Sequence, residues 1–173
     1  ARTITSVPVE HSYFYGVSVA PDGSVYAAGS IDGTSTYDFG NNVTATGASI
    51  GSGIVLVKYN SSGAAQWAKT VTAGNNSRFD SVSVASDGSV YAGGYIIGTS
   101  FYDFGNSVTA TGPSVVENVL LVKYNSSGVA QWARTVIAGG NDSLFRSVSV
   151  ASDGSVYAAG IIERMTAYNF GDD

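Results

Sequence analysis

The chain has 173 residues, of which 44% are hydrophobic and 12% are charged. This balance excludes a disordered protein, and the length fits about one ordinary domain. The formal net charge of −5 argues against nucleic-acid binding, which depends on clustered lysine and arginine. There is no cysteine, which excludes disulfides and thiolate metal sites. No apolar run reaches the roughly 18 residues of a membrane-spanning helix.

One phrase occurs three times along the chain. It reads PDGSVYA at 21–27, then SDGSVYA at 86–92 and again at 152–158. Trp67 and Trp132 lie 65 residues apart, which is the same period. A fixed period of this kind is typical of repeat architectures, in which each repeat is one supersecondary unit.

The period divides the sequence into three units, 1–67, 68–132 and 133–173. The third unit has 41 residues and ends at YNFGDD, the counterpart of YDFGNN in the first, so we expect it to be truncated. Residues 1–3 look like the end of a fourth strand from a preceding unit. We therefore expect that further repeats of a longer chain, or several copies of this chain, complete the assembly.

Short apolar alternation, interrupted by turn residues, predicts β-strands and no helix within a unit. In the second unit the strands are predicted at 81–85, 89–96, 118–124 and 129–135. The Asp-Gly pair between the first two strands predicts a tight hairpin turn, because glycine tolerates positive φ and aspartate bonds to its own backbone. Each complete unit is therefore predicted to supply four antiparallel strands.

Tandem four-stranded sheets predict an all-β fold and, more specifically, a β-propeller whose blades are the repeat units. The spacing of ~65 residues exceeds the usual ~40–50 residues per blade, and the excess falls between the second and third strands. A propeller needs roughly 4 to 8 blades, so about 2.6 units form an incomplete ring. We treat residues 1–173 as a single propeller segment.

The residues that recur also resemble a known family. The stretches LVKYNSSGAAQWAKT (56–70) and DSVSVASDGSVYAGG (80–94), followed by YDFGN, are similar to the bacterial β-propeller repeat called SBBP. The likeness covers essentially the whole chain. It implies a secreted or surface protein of bacteria, located outside the cell, on its surface or in the periplasm. It implies no shared enzymatic reaction.

The inventory of reactive side chains predicts no active site. His11 is the only histidine, there is no cysteine nucleophile, and no pair of carboxylates stands apart from the repeated background. Asp22, Asp87 and Asp153 recur in the same turn of different units, too far apart to share a proton or a metal. We therefore predict that the chain is not an enzyme and has no catalytic residue, no metal and no cofactor.

Two further recurring features are assigned to structure. Asp38 and Asp103 in YDFGN predict a local turn bonded by the aspartate, with cation binding as the alternative. Trp67 and Trp132 are interpreted as residues that lock neighbouring blades together. The alternative is that they resemble the tryptophan strand endings of propellers with a quinone cofactor.

The loops at the two ends of the predicted sheets differ in how closely their sequences and lengths repeat. The connections from each fourth strand to the next first strand vary in length, and antiparallel order places them beside the long inserts, opposite the uniform DGS and NSSG turns. Binding residues usually lie on variable loops that a rigid scaffold holds in place. The candidates for ligand contact at the variable end are His11, Tyr13, Tyr15, Asn76, Arg78, Asn141 and Asp142.

These observations favour a non-catalytic, extracytoplasmic β-propeller that acts as a structural or interaction module. Its expected partner is a protein or a glycan, and neither nucleic acid nor a membrane span is expected. The alternative is a lectin-like carbohydrate-binding propeller, or a fragment of a propeller enzyme whose essential groups lie on other blades.

Overall fold

Every regular element in the described part of the chain is a β-strand. The computed structural model describes residues 10–163 and 167–171, so the strand end predicted at residues 1–3 lies outside the described residues. No helix occurs in the described ranges, and therefore none that is long and apolar enough to cross a membrane. The all-β prediction is confirmed.

The first unit forms a four-stranded antiparallel sheet and a separate small hairpin. The sheet has the order β1, β2, β5, β6, and the hairpin pairs β3 with β4. The strands are β1 (Ser12–Val19), β2 (Val25–Asp32), β3 (Thr36–Asp38), β4 (Thr44–Thr46), β5 (Ser52–Tyr59) and β6 (Ala65–Lys69).

The second unit repeats this arrangement, and the third supplies a two-stranded antiparallel sheet. The four strands predicted in the second unit are confirmed to within a few residues. The sheets end two residues beyond the boundaries that the repeat placed after Trp67 and Trp132. The strands are β7 (Ser77–Val84), β8 (Val90–Ile97), β9 (Phe101–Asp103), β10 (Thr109–Thr111), β11 (Glu117–Tyr124), β12 (Ala130–Arg134), β13 (Ser143–Val150) and β14 (Val156–Ile162).

The repeated Asp-Gly dipeptide forms the hairpin turn between the first two strands of each unit. Gly23, Gly88 and Gly154 have φ values of 79°, 84° and 88°, a region that glycine enters without steric cost. The preceding aspartate bonds forward, so that Ser89 N donates to Asp87 Oδ1 at 2.8 Å. Local sequence therefore fixes the turn and, with it, the register of the two strands.

The insert between the second and third strands contains a short hairpin that the sequence did not predict, because its three-residue strands are too short to show an alternating pattern. Its tyrosine fastens it to the sheet. Tyr102, fully buried on β9, has its hydroxyl 2.7 Å from the Asn76 carbonyl and 2.8 Å from the Ile97 carbonyl. In the first unit the Tyr37 hydroxyl lies 2.9 Å from each of the two corresponding carbonyls. The tyrosine thus ties the start of the first strand to the end of the second.

Neighbouring sheets pack face to face, with the first strand of each unit against the preceding sheet. Strand β7 contacts β1, β2 and β5, and β13 contacts β7, β8 and β11. One core cluster accordingly contains side chains of both complete units, among them Ile54 and Leu56 with Val82, Leu120 and Val122. Because burial of such a side chain stabilises by roughly 1.5–3 kcal/mol, each sheet depends on its neighbour for stability. The three sheets do not close a ring within the described residues.

Serine hydroxyls join the first strands of successive units. Val84 N donates to Ser18 Oγ at 3.2 Å, and Val150 N donates to Ser83 Oγ at 3.2 Å. Within the described part of the chain each first strand pairs with only one other strand, so the amides on its second edge need partners from elsewhere. The alternating SVSV sequence follows from this geometry, since serine supplies acceptors between valines that pack.

Candidate functional site

A β-bulge interrupts the first strand of every unit at the same place. The register shifts between Phe14 and Gly16 in β1, and at the corresponding positions of β7 and β13. Glycine stands opposite the bulge on the second strand, where a Cβ on Gly94 would overlap the carbonyl oxygen of Arg78. A bulge redirects the side chain of the extra residue. The three extra residues are Tyr15, Asp80 and Arg146.

The bulge residues of the second and third units form an ion network. The Asp80 carboxylate accepts two hydrogen bonds from Arg78 and one, at 2.8 Å, from Arg146 Nη1. Only 6% of the Asp80 side chain is exposed, which strengthens these interactions. The hydrogen bond to Asp80 raises the pKa of Arg78 above its usual value. Asp80 therefore links the first strands of two units and fixes the position of Arg78.

Aromatic rings continue this network along β1. The ring centroids of His11 and Tyr13 are 5.9 Å apart, and those of Tyr13 and Tyr15 are 6.0 Å apart, with nearly parallel planes. The Arg78 guanidinium lies 4.8 Å from the Tyr15 centroid and 4.9 Å from that of Tyr95. We call His11, Tyr13, Tyr15 and Arg78 the aromatic row. Its two tyrosines are about half exposed.

An acidic residue lies close to the row. Burial raises the pKa of Glu117, and the negative charge of Asp142 raises it further. Burial likewise raises the pKa of Tyr95. Sequence reasoning missed Tyr95, Asp80, Arg146 and Glu117. For Asp80 and Arg146 the sequence did carry a signal: the position after the repeated Phe reads Tyr, Asp and Arg in the three units, although that Phe and the Val-Ser-Val that begins two positions after the variable residue recur in all of them.

Four of the seven predicted site residues come together in the aromatic row, and three lie elsewhere. Asn76 Oδ1 accepts a hydrogen bond from Ser52 N at 3.0 Å, and Asp142 Oδ1 accepts one from Glu117 N at 3.0 Å. Both side chains thereby join the start of one unit to the third strand of the unit before it. The Asn141 carbonyl accepts a hydrogen bond from Tyr168 at 2.9 Å. A ligand-binding role for these three residues stays a prediction.

The recurring turn carboxylates occupy structural positions. Asp22, Asp87 and Asp153 each accept a hydrogen bond from the backbone amide two residues ahead, and these bonds lower the pKa of all three. Asp38 and Asp103 do the same for Gly40 and Gly105 in the inserts. Both sets therefore agree with the turn interpretation. Among the residues that the structure describes, no three His, Asp or Glu side chains are grouped so that they could hold a metal ion.

The first tryptophan joins two units. Trp67 Nε1 donates to the Ser126 carbonyl of the second unit at 3.3 Å, and its ring lies 5.7 Å from that of Tyr26. For Trp67 this contact agrees with the prediction that the tryptophans lock neighbouring sheets, and for Trp132 the prediction stays untested. Trp132 packs in the same way on Tyr91 of its own unit, at 5.9 Å.

The sequence matches no protein-family model, and a search of curated proteins finds no significant relative. The function of the chain has to be inferred from the geometry of its own residues.

Proposed function

We propose that the chain is a segment of a non-catalytic β-propeller of the SBBP type that works outside the cytoplasm as a structural or interaction module. Face-to-face packing of successive sheets supports the propeller, because β7 lies against β1 and β13 lies against β7. Blades whose first strands surround a common axis have this order. The family and the location rest on the resemblance of the repeats.

The aromatic row is the observation that carries the interaction proposal. Tyrosine and arginine are enriched among the residues that contribute most to binding at protein interfaces. A tyrosine ring also loses little conformational entropy on binding because it has two rotatable bonds. Here Asp80 holds Arg78 in place and Arg78 packs on Tyr15, so the row is ordered before a partner arrives.

The orientation of the rings favours a protein partner. The rings of His11, Tyr13 and Tyr15 stack on one another, so neighbouring ring faces cover each other in part. A partner therefore meets a ridge of half-exposed tyrosine rings next to a guanidinium. Apolar groups interspersed with hydrogen-bond acceptors, as on a protein surface, complement such a ridge.

The surrounding carboxylates support a non-catalytic role. Asp80 is bound by two guanidinium groups, which is unfavourable for a general base. Asp32, whose carboxylate lies 4.0 Å from His11 Nδ1, accepts a hydrogen bond from the Ser52 hydroxyl. Both groups thus stabilise the framework around the row.

A lectin-like function is the second candidate, and the exposure of the row favours it. Sugars present apolar C–H faces together with hydroxyl groups, and half-exposed tyrosines beside a guanidinium offer complementary contacts to both. A glycan ligand would use the same residues as a protein partner, so one set of variants tests both candidates.

The experiment is a binding screen of the purified chain on arrays of glycans and of extracellular proteins, followed by titration of each hit. The doubly substituted chain Tyr13→Ala, Tyr15→Ala is expected to bind at least about tenfold more weakly, as is typical for loss of an aromatic contact residue. Phe101→Ala is the matched control, because this ring is also about half exposed but lies on β9, outside the row.

A protein hit weakened only by the row variant supports the interaction proposal, and a glycan hit with that behaviour supports the lectin-like alternative. Binding that the row variant leaves unchanged overturns both. Catalytic turnover by the purified protein would overturn the non-catalytic part.

A further inference from the structure

The second strand of the third unit has a free edge. In the complete units the second strand lies between two others, with β2 between β1 and β5 and β8 between β7 and β11. Within the described residues β14 pairs with β13 alone. The main-chain groups along its other edge are therefore available to a further strand.

The side chains on this hairpin are exposed although their counterparts are buried. Tyr26 and Tyr91 are 1% and 6% exposed, whereas Tyr157 at the same position is 64% exposed. Ile96 is fully buried, and its counterpart Ile162 is 49% exposed. Since the three hairpins have nearly the same sequence, the difference comes from what covers them.

An apolar groove of about 290 Å³ runs along the exposed hairpin. Its lining includes Phe145, Ala158, Ile162 and Phe170. The four counterparts in the second unit, Phe79, Ala92, Ile96 and Phe104, are buried in one cluster with Leu120 and Val122 of the third strand. The groove therefore corresponds to the place that the aliphatic side chains of a third strand occupy.

The exposed Tyr157 indicates which side chain the fourth strand of a completed third sheet would carry. In the first unit the Trp67 ring lies 5.7 Å from Tyr26, and in the second the Trp132 ring lies 5.9 Å from Tyr91. Both tryptophans are on the fourth strand, opposite a lysine of the third. A hairpin that covers Tyr157 in the same way brings a tryptophan to it.

We propose that the edge of β14 and its groove bind a β-hairpin that carries two aliphatic side chains on its first strand and a tryptophan on its second. Its first strand pairs antiparallel to β14 and places two aliphatic side chains, at alternate positions, in the groove. Its second strand follows a tight turn and packs a tryptophan on Tyr157. The main-chain bonds supply affinity and the alternate side chains supply specificity, as in other cases of strand addition to a sheet edge.

A synthetic peptide of residues 117–134 is the probe, because this segment is the third and fourth strand of the second unit. An isolated hairpin is marginally stable in water, so the peptide is expected to order on binding. Fluorescence anisotropy of labelled peptide should give saturable binding at one site per chain. Hydrogen exchange of the intact chain should slow at β14.

The matched control is the same peptide with Leu120→Asp and Val122→Asp. It keeps the turn and the tryptophan but would place carboxylates in the groove, and we expect it to bind at least about tenfold more weakly because burial of an unpaired charge is unfavourable. In the chain, Tyr157→Ala is expected to weaken binding of the native peptide severalfold, since it removes the ring that the tryptophan contacts.

No binding of the native peptide, equal binding of the control, or slowed exchange at β1 instead of β14 would overturn the proposal. So would a chain that purifies as an oligomer whose mass the peptide does not change, because a second copy would then cover the groove. An oligomer that the peptide converts into a one-to-one complex supports it. Binding should survive Tyr13→Ala, Tyr15→Ala, which separates this site from the aromatic row.

Discussion

The second and third units contrast most clearly in their first two strands. Residues 81–94 of the second unit read SVSVASDGSVYAGG and residues 147–160 of the third read SVSVASDGSVYAAG, so this part of the two hairpins differs at one position. Both form a hairpin with the same turn, the same register and a bulge at the same place. Yet β8 is almost entirely buried, while β14 is exposed along most of its length.

The contrast separates features that the local sequence sets from features that neighbouring strands set. Turn geometry and strand pairing are set within about twenty residues and repeat wherever the sequence repeats. Burial is set by the third strand and by the neighbouring sheet, which the local sequence does not contain. Substitutions at matched positions should therefore have equal effects where the feature is local and unequal effects where a neighbour supplies it.

The largest inequality is expected for the isoleucines of the second strands. Ile96→Ala should lower the free energy of unfolding by about 2–4 kcal/mol, because it leaves a cavity in the shared core. Ile162→Ala should lower it by less than about 1 kcal/mol, since half of that side chain already contacts solvent. Urea denaturation of the two variants measures the difference. Equal losses would mean that the third unit is covered as the second is.

A smaller inequality is expected for the serines of the first strands. Ser83→Ala removes the acceptor of Val150 N–H and should cost about 0.5–1.5 kcal/mol. Ser149→Ala, at an exposed position, should change stability by less than about 0.5 kcal/mol. Amide exchange at Val150 gives an independent readout, because it should accelerate in the first variant alone. Unchanged exchange there would show that the serine does not protect the strand edge.

The smallest effect, and a nearly equal one in the two units, is expected for the turn aspartates, because serine hydrogen bonds are the main cause of both pKa shifts and Lys123 adds a lesser one at Asp87 alone. Hydrogen bonds lower the folded-state pKa of Asp87 and Asp153, so the stability they add is present above the unfolded pKa of about 3.9 and is lost as pH falls through the lower folded value. Asp87→Asn keeps a side-chain oxygen that can accept the hydrogen bond from Ser89 N but removes the titrating group. The free energy of unfolding should therefore fall slightly less steeply as pH decreases through that acidic range. Denaturation midpoints between about pH 2 and pH 5 test this. A clear difference between Asp87→Asn and Asp153→Asn would show that the turns are not independent of their surroundings.

Sequence reasoning succeeded where a feature is local. The Asp-Gly turns and the strands follow from glycine, aspartate and alternating valines, and the structure confirms them. The bulges were not predictable in the same way, because a bulge is a feature of how two strands pair, and the pairing was not yet known. The short hairpins of the inserts were missed because three residues carry too little pattern.

The sequence likewise predicted the parts of the candidate site that are visible locally and missed those that depend on contacts between units. Tyr13 and Tyr15 were recognisable as aromatic residues at a variable end of the repeat. That Arg78 covers Tyr15, and that Arg146 binds Asp80, depends on contact between residues about 65 positions apart. Asn76 was grouped with the site although its side chain bonds to the backbone of the preceding unit. Its role required knowing which strand lies beside it.

The serine contacts give each junction between two described units a direction. A unit offers hydroxyl acceptors to the one that follows and amide donors to the one that precedes, so a reversed neighbour would bring like groups together. Tandem duplication of a gene segment generates joints of the correct sense without any new mutation. An array built in this way can gain or lose whole units while the serine contacts at each junction keep their direction.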